Sequence, residues 1–533
     1  MRAAAQITLT SLLLCAHLGK LPCGAESGVG CPRLEWCLCK TTGHGPRVLC
    51  KAISDGEKLP AEFSQLAGIQ IDSLLLDGVN ITTLPPHFFE NLTVNVLYVK
   101  NSAVQYTERD TFKGMTIMTT LYMGQNQLHD IPDGLEAVSG LKELRLPNNY
   151  IRSTDNLPPL RGITDLDMSA NLIEKLNNSV LKTLTSLRRV WLGNNLVSYL
   201  SPDFFVNASH LEFIDLQGNF LTNIDVQLQG LELVMELNLS HNMIGDIIKL
   251  VGRAPTRLKV LLASNNRISV VPRFGTPNLA IETLDLHKCN ISVLLPNCFT
   301  ILLELESLDL SYNVIPYLPG DVFPKDSRIK YFNAAGNRLH SIDRTFKFTW
   351  RIEKLNLSMN LIEEIGEAFI NMTYLKGLTL RNNRIRFILD GTFRGNDLVQ
   401  HLDLSGNRLE WLGKDCFEPL FSLKELFMTE NLLTSLNGSI RRLPSLKYIF
   451  ISNNKLKTLR AIDFEDSPEL THIYAHGNDI TNVRGAFRSL NSLEVLMLQK
   501  NRLRSVHRQS LPSRLENLKE FILNGEFTFC NPI

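Results

Sequence analysis

The chain has 533 residues, of which 44% are hydrophobic and 20% are charged, and its 55 basic and 54 acidic side chains leave a net charge of +1. A balance this close to zero excludes a polybasic nucleic-acid binder and an acidic tail protein. The apolar fraction excludes an intrinsically disordered chain, so a large core is expected. For a globular chain this length would predict three or four domains, because single cores stop growing at roughly 250–300 residues.

Residues 1–25 have the composition of a secretory signal peptide. Arg2 precedes an apolar stretch from Ala3 to Leu18, and the small residues Cys23 and Ala25 stand where a signal peptidase requires them. The alternative is an uncleaved membrane anchor, which is disfavoured because the apolar run is shorter than the ~20 residues that span a bilayer. The sequence therefore predicts a secreted protein.

Four cysteines lie close together behind this segment, within residues 26–55: Cys31, Cys37, Cys39 and Cys50. In a secreted chain they predict a disulfide framework, for which four cysteines allow three connectivities. A zinc site is the alternative, but the single residue between the second and third cysteines is poor spacing for a chelate.

An internal repeat occupies the rest of the chain, from residue 56 to residue 526. The segment LYMGQNQL recurs with the template L-x-L-x-x-N-x-L every 22 to 25 residues, and sixteen of twenty aligned positions carry Asn. A period of this length is typical of a solenoid, whose core grows by adding repeats. One elongated domain therefore replaces the three or four that the length suggested. The aligned positions are Val79, Ser102, Asn126, Asn149, Asn171, Asn195, Asn219, Asn242, Asn266, Cys289, Asn313, Asn337, Asn360, Asn383, Asn407, Asn431, Asn454, Asn478, Asn501 and Glu526.

Each residue type of the template has a physical reason. The two leucines of L-x-L alternate with the residue between them, so they point into the solenoid from a short strand. The Asn amide both donates and accepts, and it satisfies buried backbone groups of adjacent coils. Eleven phenylalanines stand thirteen or fourteen residues before the next Asn position and predict a buried spine on the opposite side: Phe89, Phe112, Phe205, Phe299, Phe323, Phe346, Phe369, Phe393, Phe417, Phe464 and Phe487.

The repeats, together with the segment CPRLEWCLCKTTGHGPRVLC, resemble the extracellular leucine-rich-repeat proteins over residues 31–530. Within that family the tandem repeats with short loops are similar to chaoptin-type arthropod cell-surface proteins. The resemblance implies an α/β solenoid with a curved parallel sheet on its concave face and an irregular, short-helical convex side. It also implies a cysteine-rich N-terminal cap in which Cys31 pairs with Cys39 and Cys37 pairs with Cys50.

The remaining cysteines of the mature chain carry separate predictions. Family members often end in a cap with two cysteines, whereas residues 527–533 hold only Cys530. We interpret this end as a rudimentary or truncated cap. Cys289 replaces the Asn of its repeat and is predicted to be a small buried thiol, and Cys298 and Cys416 lie five repeats apart, too far to pair with each other.

The sequence contains no G-x-S-x-G elbow, H-E-x-x-H helix, Walker loop or C-x-x-C pair. We therefore predict that the protein is not an enzyme and uses no cofactor. Three strand-facing histidines, His401, His472 and His476, raise a metal site as an alternative, but solvated sheet residues explain them better. No metal site is predicted.

The residue between the two strand leucines points outward and is the position that informs on function. It is polar in the middle of the chain and apolar near both ends. The last five repeats present Phe427, Phe450, Tyr474, Met497 and Ile522, and early repeats present Tyr98, Tyr122 and Trp191. An apolar stripe on neighbouring strands predicts a partner-binding surface. The alternative is that the stripe is covered by the protein itself or by further chain.

Nine Asn-x-Ser/Thr sequons predict glycosylation, at Asn80, Asn91, Asn177, Asn207, Asn238, Asn290, Asn356, Asn371 and Asn437. Asn91, Asn207 and Asn371 each follow a spine phenylalanine by two residues, which predicts that they lie on the outer side. Asn238 and Asn356 occupy outward strand positions in the polar middle. We hypothesise that glycans there screen the centre of the concave face and leave its ends free.

A basic cluster crowds the last full repeat: Lys500, Arg502, Arg504, His507, Arg508, Arg514 and Lys519. It suggests a glycosaminoglycan, although a solvated face is the better interpretation because acids and apolar residues interrupt the run.

The expected function is extracellular protein–protein recognition, as an adhesion or matrix protein or a soluble binding subunit. Its partner would be an extracellular protein ligand or a cell-surface receptor, with self-association as an alternative, and no nucleic acid is expected. The competing hypothesis is the ectodomain of a membrane-anchored receptor.

Overall fold

The computed structural model describes residues 31–177, 181–224, 227–228, 230–247, 255–274, 280–343, 345–370, 372–523 and 526–527. The predicted signal peptide, the sequon at Asn371 and Cys530 lie outside the described residues. Within the described ranges, every helix is too short or too polar to cross a bilayer.

The N-terminal cysteines close a β-hairpin that covers the first repeat. Strands β1 (Cys37–Thr42) and β2 (Gly45–Lys51) pair antiparallel, and β2 pairs in parallel with the first repeat strand, β3 (Gln70–Asp77). Disulfides join Cys31 to Cys39 and Cys37 to Cys50, which confirms the pairing that the family resemblance implied. The hairpin thus occupies the edge that the first coil would otherwise expose.

Among the described residues, twenty parallel strands, one for each repeat, form one continuous sheet, as predicted. Each pairs in register with the strand of the next repeat, so that Leu402, for example, lies opposite Leu426. After β3 the repeat strands are β5 (Thr93–Lys100), β7 (Thr120–Tyr122), β8 (Glu143–Arg145), β9 (Asp165–Asp167), β11 (Arg189–Trp191), β13 (Phe213–Asp215), β14 (Glu236–Asn238), β15 (Val260–Leu262), β17 (Thr283–Asp285), β19 (Ser307–Asp309), β20 (Tyr331–Asn333), β21 (Lys354–Asn356), β22 (Gly377–Thr379), β24 (His401–Asp403), β26 (Glu425–Phe427), β27 (Tyr448–Phe450), β28 (His472–Tyr474), β29 (Val495–Met497) and β30 (Glu520–Leu523).

The sheet ends in a hairpin rather than in another repeat turn. Strand β31 (Glu526–Phe527) pairs antiparallel with β30, with Ile522 opposite Phe527. Glu526, which aligns with the Asn of the template, therefore lies in a strand.

The return segments carry short elements only. Two-residue strands pair in parallel between neighbouring coils on the strand-exit side: β4 (Thr83–Leu84) with β6 (Tyr106–Thr107), β10 (Lys175–Leu176) with β12 (Tyr199–Leu200), β16 (Val270–Val271) with β18 (Val293–Leu294), and β23 (Phe387–Ile388) with β25 (Trp411–Leu412). The helical elements are α1 (Leu59–Phe63) and 3-10 turns at Gly56–Lys58, Ser64–Leu66, Leu135–Ala137, Leu181–Thr183, Ala461–Phe464 and Arg508–Ser510. One hydrophobic core runs from the N-terminal cap to β30.

The template asparagines join each coil to the one before it. Asn407 is buried; its Oδ1 accepts from the N–H of Ile385 at 3.1 Å, and its Nδ2 donates to the carbonyls of Leu380 and Leu404, both at 2.9 Å. The same acceptor bond to an N–H of the preceding coil recurs at all sixteen Asn positions. The predicted role of the amide is confirmed.

The residue before each template Asn adopts a left-handed backbone, which the sequence pattern did not reveal. Its φ is +58° at Gln125, +56° at Asn382 and +66° at Gly406. The chain turns away from the sheet at this point, and Asn and Gly accept such a turn at the lowest cost. Tyr312 and Met359 adopt the same φ range, so the stacking of coils imposes this turn even on bulky residues.

The eleven predicted spine phenylalanines are all buried. Successive rings lie 6.3 Å apart between Phe369 and Phe393 and 6.0 Å apart between Phe393 and Phe417, with nearly parallel planes. Cys289 is buried as predicted, and its thiol donates to the carbonyl of Ala263 at 3.2 Å, where the other repeats place an Asn amide.

Replacing Asn407 with Ala is expected to lower the free energy of unfolding by about 1–3 kcal/mol, because it leaves buried backbone groups of two coils without partners. The matched control is the exposed neighbour, Arg408→Ala, which should change stability by less than about 0.5 kcal/mol. Denaturant unfolding followed by circular dichroism measures both. Equal stability of the two variants would contradict this role of the amide.

The three free thiols are expected to be inert in the folded protein. Cys289, Cys298 and Cys416 are buried, and burial raises the pKa of the first two thiols to about 12 and the pKa of Cys416 well above its usual range. Because the thiolate is the reactive form, iodoacetamide at a mildly alkaline pH should leave all three unmodified and should label them in urea. Peptide mapping by mass spectrometry tests this, and native labelling of any of the three would contradict it.

Candidate partner-binding surface

The outward positions in the middle of the sheet are polar for a structural reason. Asp309 Oδ1 accepts from the N–H and the hydroxyl of Ser311, at 2.8 Å and 2.6 Å, and Asp403 accepts from the N–H of Ser405 at 2.9 Å. These carboxylates accept hydrogen bonds from backbone N–H groups just after the strand ends. Hydrogen bonding within the solenoid therefore accounts for the polar middle, and the two ends of the sheet are the candidate binding surfaces.

The C-terminal ladder consists of the outward residues Phe427, Phe450, Tyr474, Met497 and Ile522. In-register pairing of β26 to β30 places them side by side on neighbouring strands. The ring centres of Phe427 and Phe450 are 4.4 Å apart and those of Phe450 and Tyr474 are 4.6 Å apart, with planes within 6° and 2° of parallel. All five side chains are partly exposed.

The stacking decides what the ladder presents to a partner. The faces of the three rings are turned towards one another, so the edges of the rings point out of the sheet. Ring edges carry the positive part of the aromatic quadrupole, and they accept apolar side chains and carbonyl oxygens as neighbours. The ladder is therefore a rigid, ridged apolar surface.

A second row beside the ladder was missed in the sequence. The rings of Tyr448 and His472 are 4.6 Å apart and tilted by 34°, and the His472 ring lies 6.2 Å from that of Tyr474. Burial lowers the pKa of His472 and raises the pKa of Tyr474. The residue before the central strand leucine, like the residue after it, points outward; at that position the sequence pattern singled out His472 only as a candidate metal ligand and did not single out Tyr448.

Titratable side chains border the ladder in pairs. Lys519 Nζ donates to Glu494 at 2.7 Å, and this hydrogen bond lowers the pKa of the carboxyl. His401 Nδ1 lies 2.9 Å from Glu425. Since these groups already have partners within the protein, apolar contact is the main feature that the ladder offers.

The three early residues lie nearer the other end of the sheet, where Tyr98 and Tyr122 are on adjacent strands and Trp191 is three strands further along. The rings of Tyr98 and Tyr122 are 5.9 Å apart, and burial raises the pKa of Tyr122. Trp191 lies 5.2 Å from the ring of Phe213 and 5.8 Å from the guanidinium of Arg145, two neighbours that the sequence pattern did not single out. These rings are tilted rather than stacked, and the structure does not bring them to the ladder.

A further exposed apolar row, different from the row at Tyr448 and His472, runs along the side of the solenoid where the chain enters the strands. This lateral row comprises Trp350, Tyr374, Leu398 and Phe421, which are 37%, 47%, 44% and 54% exposed. It belongs to four consecutive repeats. The residues precede β21, β22, β24 and β26 by three or four positions, outside the strand template, and were therefore missed.

The histidines considered for a metal site do not assemble one. His472 contacts Thr471, His476 contacts Ser452, and His401 pairs with a carboxylate. Within the described ranges, metal-ligand atoms converge only at Asp285, His287 and Asp309, within 4.8 Å of one another. His287 Nδ1 already lies 2.7 Å from Asp285, so hydrogen bonds within the protein explain that group.

The sequon asparagines occupy both sides of the molecule. Asn80, Asn91, Asn207, Asn290 and Asn437 are exposed, and Asn177, Asn238 and Asn356 are partly exposed. The Asn238 amide donates to the side chain of Gln217 at 2.9 Å. Asn356 lines a cavity of about 590 Å³ on the sheet face, next to Gly377, which has no side chain to fill it.

The family model described as leucine rich repeat matches residues 161–221, 351–409, 373–433, 397–456 and 422–480. Podocan from Mus musculus is 26% identical over 413 residues, which cover 71% of this chain and 61% of podocan. Lumican from Gallus gallus is 28% identical over 252 residues, which cover 46% of this chain and 65% of lumican. The chain thus spans less than two thirds of the length of these relatives.

Solved structures show the same fold at low sequence identity. Toll in the Drosophila Toll–Spatzle complex aligns with a TM-score of 0.63 at 17% identity, covering 92% of this chain and 73% of that chain. The plant peptide hormone receptor RGFR1, in complex with RGF2, aligns with a TM-score of 0.55 at 18% identity, covering 87% and 76%.

The stacked parallel strands and the asparagine turns form a solenoid of the leucine-rich-repeat class of fold, and the leucine rich repeat family model matches part of the chain. Within that class the reported sequence relatives are podocan and lumican, so the narrower resemblance to chaoptin-type proteins stays a prediction.

Proposed function

We propose that this chain is an extracellular binding protein that recognises a protein partner through the C-terminal ladder. The observation that carries the proposal is the stack of Phe427, Phe450 and Tyr474 at 4.4 Å and 4.6 Å, which forms an apolar surface beyond the polar middle of the sheet. Aromatic and Met side chains grouped on one surface are the usual composition of an interface centre.

The rigidity of the ladder supports recognition of a partner. Its rings are held by strand pairing and by one another, so little side-chain entropy is lost on binding. The strands are about 4.8 Å apart. Apolar side chains of a partner segment can pack against the ring edges, and its carbonyl oxygens can contact the same edges.

Three observations support an extracellular location: the predicted signal peptide, the two disulfides of the cap, and the nine sequons. Among proteins of this fold, the Toll and RGFR1 structures are complexes with ligands. These complexes also support the alternative, a receptor ectodomain. Transcript sequence beyond Ile533 distinguishes the two, because a C-terminal cap followed by an apolar segment of about 20 residues would identify the receptor.

The double variant Phe450→Asp with Tyr474→Asp is expected to weaken partner binding at least about tenfold, since it replaces two apolar anchors. Secretion and thermal unfolding should stay near normal, because each new Asp would stand two residues before a Ser or a His, as other Asp residues on the sheet already do. The new carboxylate at position 450 would precede Ser452 by two residues, as Asp403 precedes Ser405, and the one at position 474 would precede His476, as Asp285 precedes His287. The partner is first obtained by affinity capture from the source tissue with the wild-type chain, and binding is then measured by surface plasmon resonance.

The matched control is Tyr374→Asp with Phe421→Asp, which makes the same change on the lateral row. If the control abolishes binding and the ladder variant does not, the partner uses the lateral row and the proposal is wrong. If the ladder variant fails to fold or to be secreted, the ladder is part of the core and the proposal is equally wrong.

We also propose that glycans at Asn238 and Asn356 screen the centre of the sheet, with the Asn356 glycan over the cavity beside Gly377. Glycopeptide mapping of the secreted chain should find both sites occupied. If both are bare, the screening hypothesis has no basis.

A further inference from the structure

The strand-exit side of the last two full repeats carries a basic pocket that is separate from the ladder. The basic pocket is a cavity of about 640 Å³ lined by Arg484, Arg502 and Arg504 and by polar groups that include His507, Asn482 and Ser505. Arg484 comes from one coil and the other two arginines come from the next. The basic cluster recognised in the sequence held the residues of the last repeat, but it left out Arg484.

The walls of the basic pocket are held by hydrogen bonds of the backbone. The N–H of Arg484 donates to Asn482 Oδ1 at 2.8 Å, and the N–H of Gly485 donates to the buried hydroxyl of Ser510 at 3.4 Å. Arg508 donates to the carbonyls of Pro512 and Ser513, at 2.8 Å and 3.1 Å. The guanidinium of Arg508 therefore holds the segment at Pro512 and Ser513 and does not line the pocket.

The charge of the basic pocket is largely uncompensated, unlike that of the sheet. Cations along the sheet are paired between neighbouring strands, as Lys330 is with Glu306 at 2.7 Å and Lys376 with Glu353 at 2.9 Å. In the pocket Arg502 pairs with Asp479 at 2.8 Å, whereas Arg484 and Arg504 form no ion pair with any described residue.

The surrounding sequence adds to this positive field. Residues 479–514 contain seven Arg and Lys residues against one Asp and one Glu. Exposed charges of one sign that line a cleft concentrate counter-ions there. The ligand of this pocket should therefore be an anion.

We propose that the basic pocket binds a sulfated glycosaminoglycan chain. Two guanidinium groups without acidic partners match the oxygens of sulfate and carboxylate groups, which they bind in a fork-like geometry. The amide of Asn482 and the hydroxyl of Ser505 supply partners for sugar hydroxyls. The pocket is an open groove, so a linear polysaccharide passes through it without the need for a chain end.

A membrane surface with acidic lipids is the competing ligand, and the pocket lacks what such a surface requires. Peripheral membrane binding combines cations with apolar side chains that insert between headgroups. The apolar residue that lines this pocket, Val483, is buried, and the other lining residues are polar or charged. The polysaccharide is therefore the better fit.

Heparin is the probe for this proposal, used with the full secreted chain. Wild-type protein should bind immobilised heparin at about physiological salt. The double variant Arg484→Gln with Arg504→Gln should bind about tenfold more weakly. Its affinity should also depend less on salt, because fewer ion pairs form and fewer counter-ions are released on binding. The Arg484→Lys, Arg504→Lys variant should bind with intermediate affinity, since lysine keeps the charge and loses the fork.

The matched control is Arg338→Gln with Arg408→Gln. These two arginines are exposed and stand directly after a template Asn, as Arg502 does, and their replacement lowers the net charge by the same amount. The control should bind heparin within about twofold of wild type, because it leaves the positive field of the pocket intact. Thermal unfolding of every variant should match that of the wild type, and fully desulfated heparin should not bind.

Three results would overturn the proposal. One is unchanged heparin binding by the Gln variant, and another is an equal loss in the control, which would assign the effect to net charge. The third is binding to phosphatidylserine vesicles without binding to heparin, which would assign the pocket to a lipid surface. All of these outcomes are independent of the ladder, whose residues are intact in every variant.

Discussion

The buried amide of the template asparagine is the interaction on which the rest of the structure depends. At Asn407 one side chain accepts from an N–H of the preceding coil and donates to carbonyls of both coils. A buried backbone group without a partner costs about 1–3 kcal/mol, so a coil displaced by one residue would lose these bonds. Repeated at sixteen positions, the amide sets the register of the whole sheet.

Register explains how the exposed face is divided. Each residue of a strand pairs with the equivalent residue of the next strand. Equivalent side chains of successive repeats therefore lie next to one another along the sheet. Where the outward residue is Asp, as at Asp309 and Asp403, the carboxylate turns to its own strand end and is satisfied there. Where it is aromatic, as at Phe427 and Phe450, the rings stack with each other and stay on the surface. One backbone arrangement therefore yields an internally satisfied middle and an end with exposed, stacked aromatic rings.

The ladder and the basic pocket lie on different sides of the same C-terminal coils. Tyr474 and Met497 face outward from β28 and β29, while Arg484, Arg502 and Arg504 follow those strands on the exit side. A protein on the sheet face and a polysaccharide on the exit side would therefore not compete for side chains. The near-zero net charge of the chain conceals this arrangement, since cations along the sheet are balanced by pairs such as Lys330–Glu306 and Lys376–Glu353, while a local excess of positive charge remains at one end.

The sequence by itself determined the repeat, its strands, the role of the asparagine amides and the phenylalanine spine, because the contacts between coils of a solenoid join residues about one period apart. It also identified the ladder, since alternation within a strand decides which side chains face outward. Only the tertiary structure showed the second row at Tyr448 and His472, the lateral row that begins at Trp350, and the pocket that joins Arg484 to Arg504. These side chains lie outside the template position or on different coils, and where they meet depends on how the return segments stack.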